Sequence, residues 1–402
     1  MTAVGVTGLG VLAPTGVGKH DYWASTRIGK SGIGPITTFD TTRYPNHLAG
    51  EIRDFAPEQL LPGRLKPQTD RVTRLSLVAA DWALQDADLD LSTLDPFTIG
   101  VSTASSAGGF GFAERELQAL WSKGGQYVSA YQSFAWFYAV NTGQISIRNG
   151  LKGPSGVVVS DAAGGLDAIA QARRQIRKGT TTALTGAVDS TLCAWGLVGI
   201  QSSGLLSTCG DPDRAYLPFD RDASGHVPGE GGSMFVLESV DSARQRGREV
   251  YGVVSGYGAT FDPGDGPPRK DGLRRAISNA LTDADVAADD IDVIFADAAG
   301  IPELDRAEAD AIIDIFGKRR VPVTAPKAAY GRLCAGGGPL DVATALLAIG
   351  DSTIPPTINV EPDHTYGLDL VCQPRAARLH NALVIARGYR GFNSAVVLTA
   401  PR

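Results

Sequence analysis

Short apolar segments rich in Val, Ile and Thr alternate along this chain with longer segments whose apolar residues recur at helical spacing. Segments of the first type are too short and too apolar for amphipathic helices, which makes them strand candidates. Those of the first half are 4–11, 98–103, 156–160, 182–186 and 233–238. The intervening segments 71–85 and 165–178 carry apolar residues every three or four positions, which predicts helices. This alternation predicts an α/β fold with largely buried strands.

The second half of the chain repeats this pattern. Its predicted strands are 249–258, 292–296, 382–388 and 395–400, and its predicted helices are 272–283, 304–316 and 339–349. The charged segment 241–248 is typical of a surface helix and falls where the two halves meet. No short period repeats, which argues against a solenoid. We predict two similar halves, 1–245 and 246–402, which pack as one body because no low-complexity linker separates them.

Composition excludes several classes of protein. A chain of 402 residues with 43% hydrophobic and 20% charged residues can bury a sizeable core, so it is not largely disordered. Its net charge of −6 provides no general attraction to phosphate backbones, which argues against a nucleic-acid binder. It has neither a signal-peptide pattern nor a run of about 18 apolar residues, so we expect a cytoplasmic protein that does not enter membranes.

The cysteines and the first glycine pair suggest no cofactor. Cysteines 193, 209, 334 and 372 have no metal-ligand spacing, and we expect them to be reduced and no metal to be bound. Gly8-Leu9-Gly10, at the first strand, resembles the beginning of a dinucleotide loop. Pro14 falls where the following helix should begin and no acidic partner closes a second strand, so a structural turn is the favoured interpretation.

A tight turn between a strand and a helix is the second candidate site. It spans 157–167, with Ala162 at its tip and Ser160 and Asp161 just before it. An elbow of this kind exposes its tip at a helix N-terminus, where Cys or Ser would act as a nucleophile. Alanine supplies neither nucleophile nor acid nor base. We expect Ser160 and Asp161 to cap the helix.

At these motifs the chain resembles the ketosynthases of the thiolase superfamily, and among them the chain length factor, or ketosynthase-β, of bacterial type II aromatic polyketide synthases. The resemblance covers essentially the whole chain. The segments that carry it are Val4–Val11, Phe134–Gln144, Pro218–Arg221, Val227–Gly232 and Gly391–Ala395. Pro218–Arg221 and Val227–Gly232 are general to ketosynthases, whereas Phe134–Gln144 and the form of the elbow resemble chain length factors. The resemblance implies a thiolase-like, five-layered αβαβα fold made of two similar halves.

Condensing ketosynthases use one Cys and two His residues, and the resemblance implies that this chain has lost all three. Ala162 stands at the Cys position, Asp297 at the first His position and Arg332 at the second, while Lys327 and Glu308 are retained. Chain length factors commonly carry Gln at the elbow tip, so Ala162 also departs from the subfamily. Histidines 20, 47, 226, 364 and 380 fall at none of the catalytic positions. We expect Ala162 and Asp297 to converge on one vestigial pocket, partly filled by Arg332.

The resemblance also implies partners. Chain length factors form a heterodimer with a catalytically complete ketosynthase-α, which acts on an acyl carrier protein whose phosphopantetheine holds the growing polyketide. The apolar cluster Phe134–Tyr138 would be covered in such an interface. Ordinary core packing explains that composition equally well.

In the family, a tunnel at the heterodimer interface limits the length of the poly-β-ketone. The matching positions here are Phe110, Ala113 and Leu117 on one helix after Gly108-Gly109, and Phe134, Trp195 and Gly196 elsewhere. Spacings of three and four place the first three residues on one helical face. The same spacing would be produced by a buried amphipathic stripe, and only the resemblance favours the tunnel.

Three hypotheses for the function follow. The leading one is a non-catalytic subunit that determines chain length in a minimal type II polyketide synthase. The alternative is a malonyl-carrier-protein decarboxylase or condensing enzyme that uses unorthodox residues such as Asp297 and Lys327. A third is a scaffold that keeps its partner soluble without affecting chain length.

Overall fold

The computed structural model describes residues 2–262 and 269–401. Its strands are β1 (Val4–Ala13), β2 (Gly16–Val17), β3 (Ile33–Pro35), β4 (Leu48–Gly50), β5 (Ile99–Ala104), β6 (Ser155–Val158), β7 (Thr182–Asp189), β8 (Gly231–Ser239), β9 (Gly252–Phe261), β10 (Val293–Phe295), β11 (Pro322–Thr324), β12 (Thr353–Ile354), β13 (Asp369–Leu370), β14 (Arg375–Ala376), β15 (Asn381–Arg387) and β16 (Phe392–Thr399). Its helices are α1 (Lys19–Thr26), α2 (Pro57–Leu60), α3 (Arg71–Asp86), α4 (Phe110–Lys123), α5 (Gln132–Ala135), α6 (Val140–Asn149), α7 (Gly164–Arg177), α8 (Ala194–Gln201), α9 (Val240–Gln245), α10 (Asp271–Ala284), α11 (Pro302–Phe316) and α12 (Gly337–Asp351). In this part of the chain, no helix has both the length and the apolar character that crossing a bilayer requires.

The two halves of the chain build sheets with the same strand order. The first half runs β1-β8-β7-β5-β6 and the second β9-β16-β15-β10-β11, with β13 beyond β11. In each half the first three strands are antiparallel, and parallel pairing begins with the fourth. The halves join where Gly5 pairs with Val253 and Val6 with Gly252. This repeat of topology is what the repeated sequence pattern predicts.

Helices α7 and α12 form the central layer between the sheets. Helix α7 contacts β5 and β7 of the first half and β9 and β16 of the second, and α12 contacts β8 and β15. Helix α12 is apolar and buried over most of its circumference, as a helix covered on all sides requires. Helix α3 covers the outer face of the first sheet, and α10, with α11 beside it, covers that of the second. The five-layered αβαβα prediction is thereby confirmed, whereas the boundary at residue 245 remains a prediction.

The predicted turn at Gly8-Leu9-Gly10 is wrong, because these residues lie inside the buried strand β1. The glycines serve a contact with α3 instead. A Cβ on Gly8 would lie 2.1 Å from the carbonyl oxygen of Ala83, and one on Gly10 would lie 1.8 Å from that of Ala79. Glycine therefore allows the helix backbone to rest directly on the strand.

Part of the aromatic segment 134–138 faces solvent. Trp136, Phe137 and Tyr138 are 42%, 38% and 40% exposed, whereas Ala135 is buried and Phe134 is half-buried. Ordinary core packing does not account for three adjacent aromatic residues this open. The edge strand β6 is also partly open, with Ser155 and Gly156 exposed.

Candidate functional site

The elbow at Ala162 connects β6 to α7 through one 3₁₀ turn, Asp161–Ala163. Asp161 adopts a left-handed backbone conformation, with φ at 50°. The prediction that Ser160 and Asp161 cap the helix is wrong, since neither side chain accepts a bond from the first turn of α7. Asp161 instead accepts a hydrogen bond of 2.7 Å from the backbone N–H of Tyr389, and Ser160 donates to Asp167 on α7. The elbow is thus tied to the loop between β15 and β16.

Asp297 and Arg332, which come from distant loops, form an ion pair beside this elbow. Nη2 of Arg332 lies 3.0 Å from Oδ1 of Asp297, and its Nη1 donates to the Asp297 carbonyl at 2.8 Å. The Asp297 carboxylate also accepts the backbone N–H of Arg387 at 2.9 Å. Burial would raise the pKa of Asp297, but Arg332 and Lys327 outweigh it and hold that pKa below its usual range. Asp297 is therefore a carboxylate with its oxygens occupied.

Glu308 lies behind the Asp297 loop and supports it. Its two carboxylate oxygens accept the backbone N–H groups of Asp297 and Ala298 at 2.7 and 2.8 Å. One turn earlier on α11, Asp305 accepts the N–H groups of Gly300 and Phe219 in the same way. Burial raises the pKa of both carboxyls to about 7. The retained Glu308 thus holds a loop in place.

Lys327 is likewise bound within the protein. Its ammonium lies 2.7 Å from Oδ2 of Asp341 and also donates to the Ala296 carbonyl. The other oxygen of Asp341 accepts a hydrogen bond from the Tyr330 hydroxyl at 2.8 Å. Only about 7% of the Lys327 side chain is exposed, so its positive charge is balanced inside the core.

Ala162, Asp297 and Arg332 line one cavity of about 660 Å³. The end of α8 with the loop after it (199–206), the connection between β15 and β16 (387–392) and the start of α11 complete its wall. No group of three His, Cys, Asp or Glu side chains in the described residues is arranged to hold a metal ion. The structure thus brings Ala162, Asp297 and Arg332 to one cavity, as expected from the sequence, while their match to the family's catalytic positions stays a prediction.

His226 lines this cavity as well, and sequence reasoning did not place it there. Its Nδ1 lies 3.2 Å from the Ala299 carbonyl oxygen. Burial, assisted by the Arg332 charge, lowers the pKa of His226 to about 3, so the ring is neutral. A neutral ring that donates from Nδ1 keeps its lone pair on Nε2. The available signal was its position directly before Val227–Gly232, the segment that resembles ketosynthases in general.

The predicted tunnel residues lie on α4, α5 and α8, and none of them lines this cavity, although Gly199 and Ile200 at the other end of α8 do. The rings of Phe110 and Trp195 stack, with centroids 5.0 Å apart and planes inclined by 18°. The N–H of Trp195 donates to Glu114 of α4 at 3.3 Å, a second link between the helices. Ala113 is buried, and Leu117 is half-buried on the same face of α4.

Two of the predicted tunnel residues are placed differently. Phe134 lines a separate surface cavity of about 560 Å³, together with Phe137 and residues of α6. Gly196 is buried, and a Cβ there would lie 2.3 Å from the Thr191 carbonyl oxygen. Gly196 thus serves the packing of α8. The structure stacks Phe110 on Trp195 and places Ala113 and Leu117 on the same helix, and the tunnel role of all six residues stays a prediction.

Comparison with known families gives the affiliation of the chain. The family model for the β-ketoacyl synthase N-terminal domain matches residues 1–243, and that for the C-terminal domain matches residues 251–361. The chain belongs to the β-ketoacyl synthase family. The resemblance inferred from the motifs is thereby confirmed for the family, whereas the match of Ala162, Asp297 and Arg332 to the catalytic Cys-His-His positions stays a prediction.

Two relatives that this β-ketoacyl synthase homologue matches over nearly its whole length come from streptomycetes. It is 56% identical over 397 residues to the tetracenomycin polyketide synthase ketoacyl synthase beta subunit of Streptomyces glaucescens, covering 98% of this chain and 97% of the relative. It is 55% identical over 396 residues to the actinorhodin polyketide putative β-ketoacyl synthase 2 of Streptomyces coelicolor, with the same coverage of 98% and 97%.

Solved structures agree with this affiliation over the whole chain. The ishigamide ketosynthase/chain length factor matches with a TM-score of 0.93 at 28% identity, covering 100% of both chains. A second match is one chain of the complex of a type II polyketide synthase acyl carrier protein with its ketosynthase bound to the hexaketide. It has a TM-score of 0.91 at 26% identity and covers 100% of this chain and 100% of that chain.

Proposed function

We propose that this chain is the non-catalytic, chain-length-determining subunit of a minimal type II polyketide synthase. It pairs in the cytoplasm with a ketosynthase-α and shapes the tunnel that holds the growing poly-β-ketone, which stays attached to the acyl carrier protein or the partner's Cys. The observation that carries the proposal is an intact ketosynthase fold in which Ala162 and the Asp297–Arg332 ion pair, the residues matched by motif to the catalytic positions, line one cavity.

The geometry argues against an independent enzyme. Condensation requires a nucleophile at the elbow and groups that stabilise an oxyanion, and decarboxylation also requires the second of these. Ala162 cannot attack a thioester. Asp297 and Lys327, the alternative residues, are held by Arg332 and Asp341 respectively, so neither is free to transfer a proton. Cys334 lines the cavity, but burial raises the pKa of its thiol well above the usual value, which keeps it protonated and unreactive.

The surface supports pairing with a partner. Trp136, Phe137 and Tyr138 form an open aromatic patch, and Trp195 and Val198 of α8 are 42% and 50% exposed. Aromatic residues are enriched at protein interfaces and are costly to leave in water. The stacked Phe110 and Trp195 belong partly to this open region, which is what a tunnel completed by a second protein requires.

The experiment that tests the proposal is co-expression with a catalytically complete ketosynthase-α, followed by size exclusion and analysis of the product from malonylated carrier protein. We expect a 1:1 complex that makes one defined chain length. Each subunit alone serves as control, and this chain alone should yield neither polyketide nor carbon dioxide from malonyl carrier protein. Product from this chain alone would refute the proposal in favour of an unorthodox enzyme. Tunnel substitutions that change yield but never length would favour the scaffold.

A further inference from the structure

The carboxylate of Asp70 binds the N-termini of two helices at once. Asp70 precedes α3, and its Oδ1 accepts the N–H of Val72 at 2.9 Å, an ordinary N-cap. Its Oδ2 accepts the N–H of Phe112, the third residue of α4, at 2.6 Å. The positions of α3 and α4 are therefore linked through a single side chain.

Helix α4 cannot supply this cap from its own sequence. Its N-cap residue is Gly109, which has no side-chain oxygen, so no local side chain caps the helix. The N–H of Phe110 donates to the Gly108 carbonyl at 3.1 Å, which leaves the N–H of Phe112 to be satisfied from elsewhere. A Cβ at Gly109 would lie 2.1 Å from the Ala135 carbonyl oxygen, which excludes Ser, Thr, Asn and Asp at that position. The close approach of segment 132–137 thus requires glycine, and Asp70 provides the missing acceptor from another helix.

The charge at Asp70 suits this role. The side chain is 5% exposed, and burial raises its pKa, while the N–H bonds from Val72 and Phe112 and the charges of Arg115 and Arg74 act in the opposite direction. Both helix N-termini carry a partial positive charge that favours a carboxylate. One carboxylate satisfies two donors with two oxygens, which a hydroxyl or an amide cannot do.

We propose that Asp70 is a positioning residue that fixes the first turns of α4, and with them Phe110 and Ala113, so that the tunnel ends at one defined depth. The inference rests on the proposed function, since it takes α4 as the tunnel wall. Phe110 lies two residues before Phe112 and stacks on Trp195. When the bond to Phe112 is absent, the first turn of α4 shifts against α8 and the end of the tunnel becomes variable.

The test compares Asp70→Ser and Asp70→Asn with the unchanged chain, each as the heterodimer with ketosynthase-α. Serine keeps the cap of α3 but is too short to reach Phe112, and asparagine has one oxygen for two donors. We expect the amides of residues 110–113 to exchange hydrogen roughly tenfold faster in the complex, because a hydrogen bond to a charged group is worth at least about that factor. The amides of 72–75 should be unchanged in Asp70→Ser, and the single product length should spread to neighbouring lengths at similar yield.

Asp90→Ser is the matched control, because exposed Asp90 caps only the short turn Leu91–Thr93. It should alter neither exchange at 110–113 nor product length. Unchanged exchange and a single product in both Asp70 variants would overturn the inference. So would a complete failure of both to fold, since it would show a general structural role. Ala113→Phe, run in parallel, tests the tunnel itself. If it leaves product length unaltered while Asp70→Ser loosens 110–113, the part of the proposed function that makes α4 the tunnel wall fails and the positioning of α4 by Asp70 stands.

Discussion

Nη2 of Arg332 lies 3.0 Å from Oδ1 of Asp297, in the wall of a cavity that Ala162 also lines. The motif match predicts that these two residues stand where catalytic relatives place histidines. A histidine changes its charge near neutral pH, whereas these two groups lock each other in the charged state. Burial disfavours the charged guanidinium, but Asp297 and Tyr216 raise the pKa of Arg332 well above its usual value. The Asp297–Arg332 pair is therefore a fixed electrostatic contact, not a group that exchanges protons near neutral pH.

Breaking this ion pair should destabilise the protein strongly. Arg332→Met leaves the Asp297 carboxylate buried without its main counter-charge, and we expect a loss of about 3–5 kcal/mol of unfolding free energy. The double substitution Asp297→Asn with Arg332→Met removes both charges and should cost less than Arg332→Met alone. Urea unfolding of the purified chain measures both. The exposed pair Arg214–Asp222 is the control, and Arg214→Met should change stability by less than about 1 kcal/mol. Equal losses for the two single substitutions would contradict the argument.

Restoring the nucleophile alone should not restore catalysis. Ala162→Cys places a thiol at the tip of the elbow, yet Asp297 and Arg332 still hold each other and no side chain replaces the two missing histidines. We expect the variant chain, without its partner, to form no polyketide from malonylated carrier protein. Mass spectrometry of the protein and analysis of released products check this. Multiple turnovers by Ala162→Cys would mean that His226 or another cavity residue supplies the missing acid–base function.

The sequence predicted the positions of helices and strands better than the contacts between residues that are distant along the chain. Strand and helix positions follow from local periodicity, so segments such as 71–85 and 165–178 were placed within a few residues of α3 and α7. The role of Gly8 and Gly10 depends on which helix lies over the strand, and no local pattern contains that information. The same holds for Asp161, whose partner Tyr389 is more than half a chain away.

The candidate site was predictable only where the resemblance supplied an alignment. Ala162, Asp297 and Arg332 could be matched by motif, and the structure brings them together. His226 was not recognised because it matches no catalytic position, although it lines the same cavity. Phe134 was assigned to the tunnel, which stays a prediction; that its side chain lines the surface cavity beside α6 could not be read from the sequence, because side-chain direction in a short segment follows from packing and not from spacing.

Enlarging Gly10 should separate α3 from β1. A Cβ at this position would lie 1.8 Å from the Ala79 carbonyl oxygen, a contact that only a movement of backbone can relieve. We expect Gly10→Ala to cost about 1–3 kcal/mol of unfolding free energy, the usual range for overpacking. Gly63→Ala is the control, since no atom lies within 4 Å of a Cβ there. Urea unfolding measures the free energy of unfolding of both variants. Equal stability of the two variants would show that α3 yields without cost.

Asp189 should make stability depend on pH. It is buried without a cation beside it, and burial raises its pKa to about 7. The ordinary value of about 4 applies to the unfolded chain, so between these values the folded state holds the proton more tightly. The stabilisation that protonated Asp189 gives the folded state is therefore complete below about pH 4 and is lost as pH rises to about 7. Over this range the free energy of unfolding falls by at most about 1.4 kcal/mol per pH unit.

Asp189→Asn removes the titration of Asp189 and leaves those of Asp305 and Glu308 in place. The difference in stability between the two proteins therefore reports Asp189 alone. The stability of the variant relative to the unchanged chain should increase from pH 5 to pH 7 and then level off, as measured by denaturant unfolding at a series of pH values. A difference between the two proteins that stays constant across this range would contradict the raised pKa.

Filling the face of α4 that carries Ala113 and Leu117 should shorten the polyketide. Both side chains are modest in size, and close packing means that a phenylalanine takes volume that a ketide unit needs. We expect Ala113→Phe and Leu117→Phe, each in complex with ketosynthase-α, to give products at least one ketide unit shorter, identified by mass spectrometry. Gln118→Phe is the matched control, because Gln118 is exposed on the same helix outside that face. If all three variants make the original length, α4 does not close the tunnel. If Gln118→Phe shortens the product as well, the effect arises from a general disturbance of α4 and the stripe of Phe110, Ala113 and Leu117 loses its special role.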